Sequence, residues 1–318
     1  MSLYRLIRAE GASTSIRQLC GWLRVARSAY HAWEGQQGRS KGVPKVVSRV
    51  QPANTDATPR RSLDRINDAC LMVHIRAAFK RARGAYGARR ITRAVSAELG
   101  FAVNIKRVRR LMASEGLAGK PKRRFKVTTT RGERERNVAP NLLERQFQPD
   151  QPNTSWAGDI TYIRVNGGFV YLAVLIDLFS KRVVGWSLQA NMKTELCLDA
   201  LTMAVQVRRP DRGLVHHTDR GSQYCSDAYH KVIRTYGIAP SMSRVGNCWD
   251  NAAAESFFGT LKQEVIHDTP LANLAEAQDV VANYIMDFYN TERLHSANGY
   301  LSPAEYEDRY YAQSAKAA

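Results

Sequence analysis

The chain has 318 residues, more than one domain of the usual ~100–200 residues requires, and its 44% hydrophobic content is ordinary for a folded globular protein. Its charge is not ordinary: the formal net charge is +18, and residues 1–150 hold 32 Lys and Arg against 11 Asp and Glu, while the remainder holds 15 against 18. A basic half joined to a mildly acidic half suits a protein that grips a polyanion with one part and holds carboxylates for chemistry in another, which makes nucleic acid the leading partner. No run of about 18 apolar residues occurs, so no membrane span is expected. Residues 1–10 carry two arginines with no long apolar stretch behind them, which argues against a secretory signal and for a cytoplasmic protein. The five cysteines are odd in number and widely spaced, as reduced thiols are, and no CxxC accompanies paired histidines, so no structural zinc is expected.

Residues 1–35 read as a small helical region. Ile16, Leu19, Cys20 and Leu23, then Val25, Tyr30 and Trp33, recur at helical spacing around a short interruption. A helix-turn-helix and an ordinary helical hairpin fit this stretch equally. Residues 36–62, rich in Gly, Ser, Pro, Gln and Lys, read as a basic flexible linker. Residues 63–120 return to helical periodicity. Ile66, Cys70, Val73, Ile75 and Phe79 mark a first helix, and Tyr86-Gly87 opens a second that carries Arg89 and Arg90. A third, over residues 104–115, sets Ile105, Val108, Leu111 and Met112 against Lys106, Arg107, Arg109 and Arg110, and Gly116 stops it. Glu115 is the only acid on that helix, which favours phosphate contact over a salt-bridged exposed face. Residues 121–150, with Lys122, Arg123 and Arg124, extend the basic surface as an arm.

From residue 151 the texture changes to strands. Residues 156–165 contain Asp159, Asn166-Gly167-Gly168 is a strong hairpin signal, residues 169–177 form a second strand, and residues 182–188 a third. A helix over 193–207, a strand over 214–217, a helix over 227–236, a strand near 238–242 and a helix over 251–265 follow. Three antiparallel strands and then strands alternating with helices describe an α/β domain over residues 151–310. Its expected core is a mixed five-stranded sheet flanked by helices, of the ribonuclease H-like kind, preceded by small all-α regions and followed by a tail at 311–318.

Asp159 lies within the first strand, Asp219 at the C-terminal end of a later one, and Glu255 on a helix after a long loop. Open sheets place ligand chemistry at such strand ends. Three carboxylates brought together repel one another, and a hard divalent cation relieves that conflict. Two such ions about 3.5–4 Å apart suit in-line phosphoryl displacement, so the chemistry implied is phosphodiester cleavage and transfer. Lys262 shares the Glu255 helix face two turns on, where it could meet a phosphate or simply be solvated. His216 and His217 face opposite sides of a strand, so at most one can approach the acids. Asp177 reads as a structural acid and Asp250 as a helix cap.

The words around these acids are more specific than the acids themselves. His217-Thr218-Asp219-Arg220-Gly221-Ser222-Gln223-Tyr224, followed by Gly246-Asn247 and Asp250-Asn251-Ala252-Ala253-Ala254-Glu255-Ser256-Phe257-Phe258 through Leu261-Lys262, closely resembles the OrfB-type transposases of the IS-three family of bacterial insertion sequences. The 35 residues between Asp219 and Glu255 match that family, as they do the retroviral integrases. Trp156-Ala157-Gly158-Asp159-Ile160-Thr161-Tyr162, the stretch from Tyr289-Asn290 to Arg293-Leu294-His295, and the helices around Arg89-Arg90 and Lys106–Met112 resemble further family motifs. The resemblance implies a DDE transposase with Asp159, Asp219 and Glu255 as catalytic and metal-binding residues, holding two Mg²⁺ or Mn²⁺ ions. It implies DNA contacts at Lys262, Arg89, Arg90, Lys106, Arg107, Arg109, Arg110, Lys122, Arg123 and Arg124. Implied partners are double-stranded DNA, as element terminal inverted repeats and target, a homo-multimer on paired ends, and an upstream OrfA-type product or a fusion with it, in a nucleoid-associated bacterial protein. The reaction implied is nicking at element ends followed by attack of the exposed 3′-hydroxyl. A nuclease without strand transfer and an element-derived repressor are the alternatives. The N-terminal zinc-binding His and Cys set of retroviral integrases is missing from this sequence.

Overall fold

The structure, a computed structural model, describes residues 66–121, 137–144, 148–243 and 252–317, together with Ile16, Tyr30, His31 and Glu34. The chain divides into two compact units, Met1–Ala57 and Thr58–Ala318. In the first, Tyr30 is buried and donates to Glu34 at 3.0 Å. The rest of the expected N-terminal helix pair, the linker at 36–62 and most of the basic arm lie outside the described residues.

The second unit opens with three helices, α1 (Asp68–Arg81), α2 (Ala88–Leu99) and α3 (Ile105–Ser114). Their starts follow from capping chemistry. The Asn67 side chain accepts from the Cys70 backbone and Asn104 from the Lys106 backbone, each satisfying a donor that a helix leaves open. Leu71, Ile75, Ile91, Val95 and Val108 are wholly buried between the three.

The sheet has the order β3-β2-β1-β4-β5. β1 (Ser155–Val165), β2 (Gly168–Asp177) and β3 (Val183–Gln189) form an antiparallel meander, and β4 (Val215–Thr218) and β5 (Ala239–Met242) extend it in parallel. The two-residue period of β2 divides the core. Ala173 and Leu175 face α4 (Thr194–Arg208) and α5 (Asp227–Tyr236), in a cluster with Leu196, Ala200, Leu201, Tyr229 and Ile233. Leu172, Val174 and Ile176 face the other way, toward α6 (Ala252–Glu264) and α7 (Leu274–Asn283), in one continuous cluster that also takes in α1–α3. A π-helical stretch, Tyr284–Tyr289, continues α7, and its aromatic residues Tyr284, Phe288 and Tyr289 are buried as packing groups. The closing helix α8 (Pro303–Ala317) is tied down by buried Glu307, which accepts from Ser180 at 2.7 Å, Arg182 at 2.7 Å and Arg208 at 2.8 Å.

The far end of α6 is anchored by charge. The Glu264 carboxylate, 5% exposed, accepts from Arg293 at 2.8 Å and from the Tyr284 hydroxyl at 2.8 Å, with Arg90 of α2 at 3.9 Å. Lys120, just after the three-helix segment, donates to the Glu264 carbonyl at 2.7 Å, and the Tyr86 hydroxyl accepts from the Leu294 backbone at 2.7 Å. The helical region and the α/β region therefore share polar contacts as well as a core. Among the described residues no helix is long and apolar enough to cross a membrane.

Two substitutions test this packing. A Cβ at Gly185 would lie 2.2 Å from the Ala200 carbonyl oxygen and 2.7 Å from the Ala204 Cβ, so α4 can cross β3 only over a glycine. Gly185→Ala should lower stability by about 1–3 kcal/mol, read as a lower urea midpoint at unchanged slope. Glu264→Ala, which leaves Arg293 buried without its partner, should cost about 3–5 kcal/mol in the same titration.

Candidate active site

The backbone register brings the two aspartates together. β1 runs parallel to β4 with Ser155 opposite Val215, Trp156 opposite His216 and Ala157 opposite His217. Continued by two residues, that register sets Asp159 alongside Asp219, which follows the end of β4. The approach requires Gly158, because a Cβ there would meet the His216 ring at 2.7 Å. The third acid comes from the opposite direction: α6 packs on β1 through Phe257, Phe258, Leu261 and Ile163, with Glu255 in its first turn and Lys262 in its last. Residues 244–251, with Asp250 among them, lie outside the described residues.

The electrostatics show that these groups face one another. The Asp159 carboxyl is pushed up to about 8, first by burial and then by the Asp219 charge. The Ile160 N–H, donating at 2.8 Å, opposes the shift, Glu255 adds to it, and Lys262 reduces it. Burial raises Glu255 as well, and it lowers Lys262 against the attraction of Asp159. Asp219 is exposed and accepts from the Gly221 N–H at 2.9 Å. Such a set of hard oxygen donors, one held protonated by burial and by its neighbours' charge, fits a divalent cation of the Mg²⁺ type. Among the described residues no three His, Cys, Asp or Glu side chains close into a ready-made ligand cluster, so the acids are charge neighbours rather than a collapsed cage.

The nearby histidines are otherwise engaged. His216 is buried against the Tyr229 hydroxyl at 2.8 Å, and burial lowers it to about 4, so it stays neutral. His217 points to the other face, where its ring nitrogens meet Ser241 at 2.8 Å and Ser243 at 3.2 Å. Asp177 is fully buried and accepts from the Asn153 and Phe179 backbones, which makes it a turn-forming structural acid.

The cations of the helical region separate into two groups. Arg89, Lys106, Arg109 and Arg110 are exposed. Arg107 is not: it is 9% exposed and donates to Asp68 at 2.6 Å and to the Ile66 carbonyl at 2.8 Å. Asp68 also pairs with Arg110 at 2.5 Å. Arg90 turns inward, desolvated, over the Tyr86 ring and toward Glu264. The expectation that Arg107 and Arg90 meet DNA is therefore corrected, because both are committed to protein partners. The acid that neutralises α3 sits on α1, where spacing along α3 alone could not reveal it. Lys122, Arg123 and Arg124 lie outside the described residues.

Sequence reasoning matched the segment from Tyr289 to His295 as a motif without giving its residues a role. The Asn290 amide bridges the edge of β3, accepting from the Val183 N–H at 3.0 Å and donating to its carbonyl at 3.0 Å, and Arg293 is the partner of Glu264. A polar pair of residues in a buried aromatic stretch is the signal that could have found them.

Residues 149–248 and 236–303 match models of the integrase core domain, and residues 65–125 match an HTH-like domain. The chain is 38% identical over 309 residues to the transposase InsF of insertion sequence IS3A from Escherichia coli strain K12, covering 97% of this chain and 99% of that one. It is 41% identical over 297 residues to an uncharacterized 31 kDa protein of insertion element IS600 from Shigella sonnei, covering 93% of this chain and 100% of that one. Among solved structures, the catalytic core domain of HTLV-2 integrase in complex with magnesium aligns with a TM-score of 0.40 at 19% identity, over 50% of this chain and 99% of that one. With matches to the integrase core and an HTH-like domain, and 38% identity to an insertion-sequence transposase over 97% of its length, the chain belongs to the IS3 family of DNA transposases.

Proposed function

We propose that Asp159, Asp219 and Glu255 are the catalytic carboxylates of this transposase, binding two Mg²⁺ ions, and that the enzyme nicks DNA at the ends of its element and joins the exposed 3′-hydroxyl to target DNA. The observation that carries this reading is the parallel β1–β4 register, whose continuation runs Asp159 toward Asp219 on the side of α6, with Asp159 held protonated first by burial and then by the charge around it. Bound divalent ions would supply activation of the attacking oxygen and stabilisation of the leaving one. The protein's own groups do the rest. Asp159, Asp219 and Glu255 would hold the cations, Asp159 as the carboxylate that remains once its proton is given up. Lys262, two turns along the same face as Glu255, meets the phosphate next to the scissile bond. Arg89, Lys106, Arg109 and Arg110, with Lys122, Arg123 and Arg124 of the arm, hold the flanking duplex through its phosphates. The same reading includes a multimer on paired element ends, an upstream OrfA-type product or fusion, and a nucleoid-associated protein in the bacterial cytoplasm.

The raised Asp159 gives a test that does not depend on activity. In the folded, metal-free protein this carboxyl keeps a proton that the unfolded chain releases near its ordinary value of 3.8, so the native state binds more protons between about pH 4 and 8. Stability should therefore fall as pH rises through that window, and Asp159→Asn should remove the slope and raise the melting temperature at neutral pH. Mg²⁺ should stabilise the wild type, increasingly toward pH 8, and leave the asparagine variant unmoved. An unchanged pH profile in Asp159→Asn would count against the shift.

The chemistry is tested by Mg²⁺-dependent joining of a labelled, pre-nicked element end to a target duplex. Wild-type protein should give joined product and Glu255→Gln none, with DNA affinity retained. Cleavage without joining would identify a nuclease instead.

A further inference from the structure

Beside the candidate active site, the sheet carries two aromatic rings that the fold does not bury. Tyr162 on β1 and Phe169 on β2 are 50% and 51% exposed, and they touch edge to face with centroids 5.2 Å apart. Tyr162 lies directly opposite Tyr171, and Arg164 lies opposite Phe169, so all four share one face of the hairpin. β1 pairs with β4 only through Ala157, and among the described residues no strand covers its edge beyond that point. The Lys262 ammonium reaches over the Tyr162 ring, 4.8 Å from its centroid, while also sensing the Asp159 charge. Arg164 is exposed at the outer end of the patch.

Burying either ring in the core would have been worth roughly 1.5–3 kcal/mol, and a cross-strand aromatic pair alone accounts for only about 0.5–1.5 kcal/mol. Exposed rings flanked by cations are the surface on which nucleic-acid bases stack, because every base has a π-face and every nucleotide a phosphate. A base can reach such a ring only when it is out of the duplex stack, and a strand opened for cutting offers such a base. Distance selects which one. Tyr162 and Asp159 leave β1 on opposite faces, so a strand running from one to the other crosses the unpaired edge of β1, where Lys262 reaches both. The roughly 10 Å of strand between them corresponds to about one to three nucleotides at roughly 3.4 Å per nucleotide.

We propose that Tyr162 and Phe169 form a stacking platform for an unpaired base one to three nucleotides from the scissile phosphate, with Lys262 and Arg164 holding the adjoining phosphates. This rests on the assignment of Asp159, Asp219 and Glu255 as the cutting site, which fixes the platform's distance from the cut. The platform acts by holding the strand end in place, leaving bond breaking to the carboxylates.

The test uses full-length protein carrying Glu255→Gln, so that nothing turns over, and two probes of the element's terminal sequence: a fully paired duplex, and the same duplex with an unpaired 3′ thymidine tail. Tyr162→Leu with Phe169→Leu keeps apolar bulk on the strands but removes the rings, and Tyr162→Phe keeps the ring. Fluorescence anisotropy should show the double leucine variant binding the tailed probe about 10-fold more weakly, consistent with loss of one stacked base. Binding of the paired probe should stay within about twofold, as should both affinities of Tyr162→Phe. Photo-crosslinking from 5-iododeoxyuridine in the tail should map to Tyr162 or Phe169. Equal affinity of the double leucine variant and the parent for the tailed probe, an equal loss on both probes, or crosslinks confined to other residues would overturn the proposal. Because no outcome depends on metal or turnover, a failure of the triad assignment would show instead in the joining assay.

Discussion

A single buried carboxylate, Glu264, sets where the helix bearing Glu255 and Lys262 can lie. Removing a carboxylate from water is costly, and the cost is offset only by charge-assisted hydrogen bonds of good geometry. Arg293 and Tyr284 supply those bonds from the segment after α7, and Lys120 satisfies the carbonyl of the same residue from the other side. The guanidinium also holds its neighbours' protonation states fixed: burial first, and Arg293 next, hold the His295 imidazole neutral, down to about 2. A helix fixed at its last residue by directional bonds, and along its length by Phe257, Phe258 and Leu261, has little freedom to slide. The position of Glu255 is thus set from the far end of α6.

The other end of α6 is under the opposite kind of tension. Asp159 meets Asp219 through a strand register and Glu255 through a helix, and these neighbours and burial push its carboxyl toward the neutral form. Like charges gathered by a rigid scaffold store unfavourable energy that a cation can release, which is how a fold can be stable and still favour metal entry. The anchor Glu264 and the acid Glu255 lie on one helix, about two and a half turns apart.

Much of this architecture could be read from the residues. The helix over 227–236 was expected with the bounds it has, and the hairpin at Asn166-Gly167-Gly168 and all five strands lie within about two residues of their expected ends, because two-residue and helical periodicities are local signals. The juxtaposition of Asp159 with Asp219 was implied by the family resemblance, and its physical reason, a parallel register over a glycine, needed the pairing of β1 with β4. Partners across elements were not legible. Nothing along α3 announces that Asp68 of α1 takes up Arg107, and nothing near Arg90 announces Glu264, which is 174 positions later in the chain. Charge in a sequence counts cations, and only packing tells which of them remain available to a phosphate.

The contacts that bind the three-helix segment to the α/β core have an evolutionary consequence. Tyr86 holds the Leu294 backbone, Arg90 faces Glu264, and Lys120 caps the end of α6 while also pairing with Asp268 at 2.7 Å. A chimaera that imported α1–α3 from a distant relative would bring foreign residues into this seam and loosen α6 with it. The three-helix segment therefore cannot be exchanged as a cassette. Its exposed positions, Arg89, Lys106 and Arg109 among them, can change one by one, while the inward faces of the same helices must change in step with the core they help to hold.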